Sequence, residues 1–256
     1  MTASSVSNTN SAKQGFDISS ATLHVIAMLF MLCDHLWATV ISGNDWLTCI
    51  GRLAFPIFAF MTVEGYFRTK NLKKYVLRLL IFAVISEIPF NLMYSSGFIF
   101  PFHQNVLWTF LIGIGAMHLN ELARKKDKLW LRILTGVVTV VIGYLLGIII
   151  FVDYNGAGVL TILAFYFFRG RRWWCFIGQA AALYYINFEL LSGLQYEISM
   201  FGSTVFFPQQ GFALLALIPI WLYKGRQGYH SKWFQYFCYS FYPLHMLILF
   251  VVRSFI

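Results

Sequence analysis

Apolar runs of about 20 residues, separated by short polar connections, fill the chain from residue 22 to its end. A helix needs about 20 apolar residues, within a range of roughly 17–25, to cross the hydrocarbon core of a bilayer. The longer runs are Thr22–Ile41, Trp46–Tyr66, Tyr75–Tyr94, Asn105–Leu122, Leu129–Val152, Trp173–Leu191, Thr204–Tyr223 and Trp233–Val252, and a shorter one is Gly156–Phe168. The pattern predicts an all-α, polytopic integral membrane protein.

The basic residues support a count of about nine transmembrane helices. They cluster in residues 68–78, 124–132, 169–172 and 224–232, which are every second connection, whereas the connections between them contain no Lys or Arg. Because basic loops stay in the cytoplasm, this alternation predicts a cytoplasmic N-terminus and an extracytoplasmic C-terminus. It also requires residues 156–168 to cross, since the 169–172 cluster would otherwise lie outside. Eight spans with a re-entrant segment is the alternative.

Composition agrees with a membrane protein. Of the 256 residues, 59% are hydrophobic and 11% are charged, whereas soluble domains carry about 25% charged residues. The net charge of +9 follows from topology, so no nucleic-acid partner is expected. Residues 1–20 are polar and predict a disordered cytoplasmic tail, and residues 21–256 predict a single transmembrane domain.

Five ionisable residues are predicted to lie at a similar depth within the membrane. Counted at about 1.5 Å per residue, His35, Glu87 and His245 lie about 18–20 Å from the cytoplasmic ends of their helices, and Arg52 lies about 9 Å below the outer face. Asp34 is next to His35. Such residues are rare in membranes and mark pathways, sites or paired charges. A structural ion cluster is the alternative, although such a cluster has no need of two histidines.

Three prolines, Pro56, Pro89 and Pro243, each remove a helical hydrogen bond next to this layer. Kinked helices are therefore predicted to surround a polar cavity. Further polar side chains near the predicted outer face are candidate contacts for a polar acceptor. They are Asn91, Gln104, Asn105, Asp153, Tyr154 and Tyr242.

The residues do not decide between two kinds of chemistry. No nucleotide-binding loop, metalloprotease motif or hydrolase motif is present, and no metal is expected. Histidines, carboxylates and an arginine suit proton abstraction from an amine or hydroxyl, and they suit proton-coupled transport equally well. A non-catalytic membrane scaffold is the third possibility.

Several stretches resemble the TraX family. They are "MLCDHLW" (31–37), "GRLAFPIFAFMTVEGYFRT" (51–69), "KKYVLRLLIFAVISEIPFNL" (73–92), "QNVLWTFLIG" (104–113) and "YPLHMLIL" (242–249). The resemblance implies a membrane-embedded acetyltransferase of the bacterial inner membrane, named for acetylating the N-terminus of conjugative pilin. It further implies acetyl-CoA as the donor and an extracytoplasmic acceptor, which is a protein amine, a glycan or another molecule.

On this interpretation, His35 is the leading general base and His245 the alternative. Asp34 is expected to pair with Arg52 or His245, and Glu87 is expected to fix whichever histidine faces it. Six basic residues of the cytoplasmic loops are expected to hold the phosphates of acetyl-CoA, unless topology alone explains them. They are Arg68, Lys70, Lys73, Lys74, Arg124 and Arg171.

Overall fold

The computed structural model describes residues 17–191, 193–200 and 203–256, and the chain is predominantly helical. The helices are α1 (Ser20–Thr39), α2 (Asp45–Gly51), α3 (Ala54–Arg68), α4 (Leu72–Ser95), α5 (Val106–Arg124), α6 (Leu129–Ile149), α7 (Asn155–Phe167), α8 (Trp173–Tyr185), α9 (Leu217–Leu222) and α10 (Lys232–Arg253). A π-helical turn, Ile186–Leu190, extends α8, and a 3₁₀ helix, Gln209–Ala216, leads into α9.

Most of the predicted N-terminal tail, residues 1–16, lies outside the described residues. The last residues of that predicted tail are ordered. Ile18 pairs with Tyr223 in a short parallel bridge, and the Asp17 carboxylate accepts a hydrogen bond from Arg226 at 3.1 Å. Ser19 then caps α1 by accepting a hydrogen bond from the backbone N–H of Thr22.

In the described part of the chain, six helical segments are long and apolar enough to cross a membrane. They are Ser20–Thr39, Asp45–Arg68, Leu72–Ser95, Val106–Arg124, Leu129–Ile149 and Lys232–Arg253. The predicted short span is α7, whose 13 residues extend about 20 Å and so fall short of a hydrocarbon core about 30 Å thick. Nine crossings therefore stay a prediction.

One predicted span begins at the wrong residue. A helix was expected from Thr204, but residues 203–208 form a strand instead. Strand β1 (Gln195–Met200) pairs with strand β2 (Ser203–Pro208) in an antiparallel hairpin. The aromatic and β-branched residues of β2 are apolar enough to continue the hydropathy of the next helix, but they favour extended backbone. The helical part of this segment is Gln209–Leu222.

Helix α7 is enclosed by protein. It packs against α3, α5 and α6, and small residues permit the close approach. A Cβ on Gly113 of α5 would lie 2.6 Å from Ile162 of α7, and one on Gly143 of α6 would lie 2.9 Å from Val159. By contrast, most side chains of α6 point away from the protein. An exposed apolar face of this kind is what lipid contact requires.

The helical segment that contains Pro56 is interrupted at two residues, although both keep helical φ and ψ angles. The second apolar segment divides into α2 and α3, with Arg52 and Leu53 between them and Pro56 in the first turn of α3. Pro89 and Pro243 lie within continuous helices. The break at Arg52 coincides with the predicted charged layer.

The bundle has two chemically different ends. The basic end carries the C-termini of α3, α5, α7 and α9 together with the basic loops, as the contact between Arg68 and the Gly225 carbonyl illustrates. The opposite end carries the connections around residues 96–105 and 150–155, which are joined by backbone hydrogen bonds from Gln104 to Phe151 and from Asp153 to Gln104. The β-hairpin joins this second end, where Tyr196 contacts Cys49.

Candidate functional site

Asp34 and Arg52 form a buried ion pair between α1 and the α2–α3 break. Nη2 of Arg52 donates to Oδ1 of Asp34, and Oγ1 of Thr48 donates to the same oxygen at 2.7 Å. The side chains of Arg52 and Asp34 are only 15% and 13% exposed. Each buried charge is therefore stabilised by the opposite charge of its partner. The expectation that Asp34 pairs with Arg52 or His245 is confirmed for Arg52.

A glycine allows this pair to form. Helices α1 and α2 cross so closely that a Cβ on Gly51 would lie 2.6 Å from Oδ1 of Asp34 and 2.8 Å from its Cα. Both distances are shorter than van der Waals contact. Gly51 therefore brings the backbone of α2 directly against Asp34.

The two predicted histidines are in direct contact. Nδ1 of His35 lies 2.6 Å from Nε2 of His245, and their rings are nearly parallel, with centroids 4.9 Å apart. On its other side, Nδ1 of His245 lies 2.7 Å from the carbonyl oxygen of Phe241. Both histidines are buried. They are in contact although 210 residues separate them in the chain.

These contacts assign the hydrogens of a neutral pair. A carbonyl oxygen only accepts, so Nδ1 of His245 carries a hydrogen, and its Nε2 is then the acceptor. Nδ1 of His35 must therefore be the donor between the rings. The remaining nitrogen, Nε2 of His35, keeps a free lone pair, so the arrangement supplies a proton acceptor in a fixed tautomer and orientation.

Glu87 has different partners from those predicted. Its Oε1 accepts hydrogen bonds from Nε1 of Trp108 at 2.7 Å and from Nδ2 of Asn105 at 2.5 Å, whereas the expectation was a contact with a histidine of the pair. The correction has a simple cause, because α5 packs against α4 on the side where Glu87 lies. Oε2 of Glu87 is buried without a hydrogen-bond partner among the described residues.

Asn105 is fully committed to the fold. It is buried, it caps α5 through Leu107, and its Nδ2 also donates to the Ala83 carbonyl at 2.8 Å. Its side chain is therefore occupied within the protein, and contact of Asn105 with an acceptor stays a prediction. Asn91 is also buried, with its Nδ2 3.3 Å from the Phe98 carbonyl oxygen.

Other polar residues lie together at the end of the bundle opposite the basic end. His103 and Asp153 lie 3.5 Å apart and are partly exposed. Tyr94 links this pair to the buried histidines, since its ring centroid lies 5.7 Å from His103 and 6.1 Å from His35. Tyr154 stacks on Phe55 at 4.0 Å. We call His103, Asp153, Tyr94 and Tyr154 the outer mouth, after the orientation and the entrance proposed below.

The Asp153 carboxylate changes the acidity of His103, which lies in a connection outside the long helices. Contact with this carboxylate stabilises the protonated ring and raises the pKa of His103 above its ordinary value, although partial burial opposes the shift. The mouth thus holds a second titratable pair, separate from the buried histidines.

Two other predicted acceptor contacts have local partners. Nε2 of Gln104 donates to the Pro101 carbonyl at 2.8 Å, within its own connection. Tyr242 is buried, with its ring centroid 6.0 Å from that of His245.

Sequence reasoning missed four residues of this region: Thr48, Tyr94, His103 and Trp108. Only His103 carried a usable signal, because it is a histidine in a predicted outer connection directly before Gln104. Thr48 and Trp108 act as hydrogen-bond donors to carboxylates, and their spacing along the chain does not distinguish them from other apolar-helix residues.

The six residues predicted to bind the phosphates of acetyl-CoA all lie at the basic end, but only two of them line a common cavity. Arg68 and Arg171 are among the walls of a cavity of about 250 Å³. Lys70, Lys73, Lys74 and Arg124 are exposed and are not part of its lining.

Comparison with known proteins identifies the family. The TraX protein family matches residues 19–253. A probable fimbrial assembly protein, FimC of serogroup H1 from Dichelobacter nodosus, is 34% identical over an alignment of 115 positions that covers 41% of this chain. The alignment spans about half (47%) of that relative's length. No solved structure matches the chain. Since the family match covers nearly all of the described residues, the chain belongs to the TraX protein family.

Proposed function

We propose that this membrane protein transfers an acetyl group from acetyl-CoA to an amine or hydroxyl of an extracytoplasmic acceptor, with His35 as the general base. The observation that carries the proposal is the contact of 2.6 Å between His35 and His245. A second group that fixes a histidine's tautomer is the arrangement found in nucleophilic enzymes, where it leaves one ring nitrogen free to take a proton.

The reaction follows from that free nitrogen. The acceptor's nitrogen or oxygen attacks the thioester carbonyl carbon while Nε2 of His35 takes the acceptor's proton. The tetrahedral intermediate then collapses, the carbon–sulfur bond breaks, and the protonated His35 returns the proton to the sulfur. The products are the acetylated acceptor and free CoA, and His35 is regenerated.

Arg52 is our candidate for stabilising the oxyanion. Its Nη2 bonds to Asp34, but its Nε–H is buried and has no hydrogen-bond partner among the described residues. A buried donor without a partner is costly, and a developing negative charge on the thioester oxygen would satisfy it. Asp34 then acts as a positioning residue that holds the guanidinium.

The outer mouth is our candidate entrance for the acceptor. Tyr94 is 42% exposed although its ring contacts that of His35, so an entering group would pass Tyr94 to reach the histidine. The carboxylate of Asp153 would attract an ammonium group to the mouth. Because the relative from Dichelobacter nodosus is named for fimbrial assembly, we propose a fimbrial or pilus subunit as the acceptor class.

The proposal also includes an orientation. The basic end would face the cytoplasm, which is the rule for basic loops, in the inner membrane of a bacterium. Acetyl-CoA would then approach from the basic end and the acceptor from the outer mouth, so that the two substrates meet at His35 from opposite sides.

The decisive experiment measures free CoA released by the purified protein from acetyl-CoA, with a pilin N-terminal peptide as the acceptor. We expect His35→Ala to lower the rate by about 10²–10⁴-fold, the contribution of a positioned base. His245→Phe removes the acceptor of the His35 hydrogen but keeps an aromatic ring, and it should lower kcat more than it raises KM.

The matched control is His230→Ala, which removes an exposed histidine between α9 and α10 and should leave the rate unchanged. An unchanged rate in a folded His35→Ala protein would refute base catalysis by His35. Proton-coupled solute flux without thioester consumption would instead identify the protein as a transporter.

A further inference from the structure

A cavity at the basic end has an unusual excess of positive charge. Its volume is about 250 Å³, and it lies between α3, the connection before α8 and the residues that follow α9. Its described lining contains four cationic side chains, Arg68, Arg169, Arg171 and Lys224, and one carboxylate, Glu64.

The single carboxylate is already shared. Oε2 of Glu64 accepts from Nε of Arg68 at 2.9 Å, and its Oε1 accepts from Nε of Arg169 at 2.8 Å. The guanidinium of Arg171 bonds instead to backbone carbonyls, those of Trp221 at 3.3 Å and Tyr223 at 2.8 Å. The wall itself therefore carries four cationic side chains and one carboxylate. The carboxylate of Asp17 lies outside this lining, where it accepts hydrogen bonds from the backbone N–H of Lys224 at 2.9 Å and from Nε of Arg226 at 3.1 Å.

The guanidinium groups are also held in place. Nη1 of Arg68 donates to the Gly225 carbonyl at 2.7 Å, and its guanidinium lies over the Tyr223 ring at 5.4 Å. Gly225 has a φ of +101°, and a Cβ there would lie 2.9 Å from Nη2 of Arg68. The guanidinium of Arg169 lies over the Phe67 ring at 4.2 Å. Groups that are already ordered lose little entropy when they bind a ligand.

The ligand class follows from this chemistry. Guanidinium groups recognise phosphate through paired, charge-assisted hydrogen bonds. The lining also includes aromatic side chains. Trp221 packs edge-to-face on Phe176 at 5.2 Å and donates from its Nε1 to Oε1 of Gln179 at 2.8 Å. A phosphorylated ligand with an organic portion suits such a site better than a bare phosphate ion.

We propose that this cavity binds the phosphate groups of the acyl donor's CoA, an inference that rests on the proposed function. Ligand pockets for drug-sized molecules are about 300–1,000 Å³, so the cavity accommodates part of the molecule and leaves the remainder outside. Arg169 and Lys224 join Arg68 and Arg171 as donor-binding residues. Lys70, Lys73, Lys74 and Arg124 are excluded, although they belong to the same basic loops.

The test compares two double variants that remove the same charge. The probe is CoA itself, the reaction product, and its Kd is measured by calorimetry on the full-length protein in neutral detergent. Arg169→Gln/Arg171→Gln should weaken CoA binding by about 100-fold or more, because it removes charge-assisted hydrogen bonds to phosphate, which are about twice as strong as neutral ones. Lys73→Gln/Lys74→Gln should change the Kd by less than about threefold, because exposed charges outside the cavity are screened.

Two further variants protect the test against misfolding, because Arg169 also supports Glu64. Arg171→Lys keeps the charge but loses the planar fork, and Lys224→Gln leaves the contacts of Glu64 in place. Each should weaken CoA binding by about threefold or more. Equal Kd values for the cavity and control variants would overturn the proposal.

An anionic lipid headgroup carries the same phosphate chemistry, so the lipid is tested separately. If a lipid is the occupant, anionic phosphatidylglycerol nanodiscs should raise the Tm of the wild type but not of the cavity variants, while CoA binding is the same in all. That result would also overturn the proposal. Failure of the cavity proposal is distinguishable from failure of the proposed function. If acetyl transfer depends on His35 but the cavity variants bind CoA as the wild type does, only the cavity proposal is refuted.

Discussion

Gly51→Ala tests whether the close crossing of α1 and α2 holds the Asp34–Arg52 pair. The added methyl group would lie 2.8 Å from the Cα of Asp34 and 2.6 Å from its Oδ1. Carbon atoms pack at about 3.5 Å or more, so the backbone of Asp34 must retreat by about 0.7 Å. Rotation of a flexible side chain cannot relieve this contact, because the nearest groups include backbone.

The expected cost combines two opposing effects. Forcing extra volume into a packed interior costs about 1–3 kcal/mol, whereas replacing glycine by alanine within a helix gains about 0.5–1 kcal/mol. The net destabilisation should be about 1–2 kcal/mol, which corresponds to a fall in Tm of about 2–8 °C at about 2–4 °C per kcal/mol. The assay is thermal unfolding of the purified protein in one detergent at fixed lipid content.

The matched control is Gly115→Ala. Gly115 is helical, as Gly51 is, but it is exposed, and a Cβ there meets no atom within 4 Å. This variant should therefore be as stable as the wild type or slightly more stable. The proposed chemistry adds a second readout, since displacement of Asp34 should lower the rate of CoA release only in Gly51→Ala. If the Tm of Gly51→Ala equals or exceeds that of Gly115→Ala, the crossing is looser than the structure indicates, and the reasoning fails.

Three other predictions follow from the charged groups. Asp34→Asn should cost about 3–5 kcal/mol in unfolding free energy, because it leaves Arg52 buried without a counter-charge, and Arg52→Gln in the same protein should restore part of the Tm. Contact with Asp153 raises the pKa of His103 in the folded protein. The pair therefore contributes its whole stabilisation at a pH below the pKa of His103 in the unfolded chain, and this contribution is lost as the pH rises through the pKa of His103 in the folded protein. The Tm advantage of wild type over His103→Gln should therefore shrink as the pH rises above the ordinary histidine pKa of about 6.5. The total should stay below about 1 kcal/mol because the pair is partly exposed, and a constant difference would contradict the assignment. In a background without the native cysteines, a cysteine at Gly97 should react with an impermeant thiol reagent from outside intact cells, and protection there would reverse the proposed orientation.

Many features of the fold were accessible from the sequence because hydropathy is a local property. The apolar runs located the six segments of spanning length to within a few residues, and Pro56 marked the break before α3. The basic clusters in every second connection indicated that these connections share one end of the bundle, and contacts of Arg68 with Gly225 and of Arg169 with Glu64 agree. Charge in an apolar run was also informative, since the cost of isolating Asp34 requires a partner, and Arg52 is that partner.

Other features depended on how the helices rotate and approach one another. An apolar run has the same hydropathy in a strand as in a helix, so residues 204–208 were predicted to belong to a span, although they pair with β1. Glu87 faces α5, and therefore bonds to Trp108 and Asn105, because of a rotation about α4 that sequence spacing does not specify.

The histidine pair shows most clearly which features follow from the sequence and which depend on the tertiary structure. The sequence placed His35 and His245 at a similar depth, because depth follows from counting residues along each helix. The contact of 2.6 Å between Nδ1 and Nε2 requires in addition that α1 and α10 pack with both rings on facing surfaces. The packing of these two helices brings together residues that lie 210 positions apart in the chain, and the contact is therefore a property of the tertiary structure.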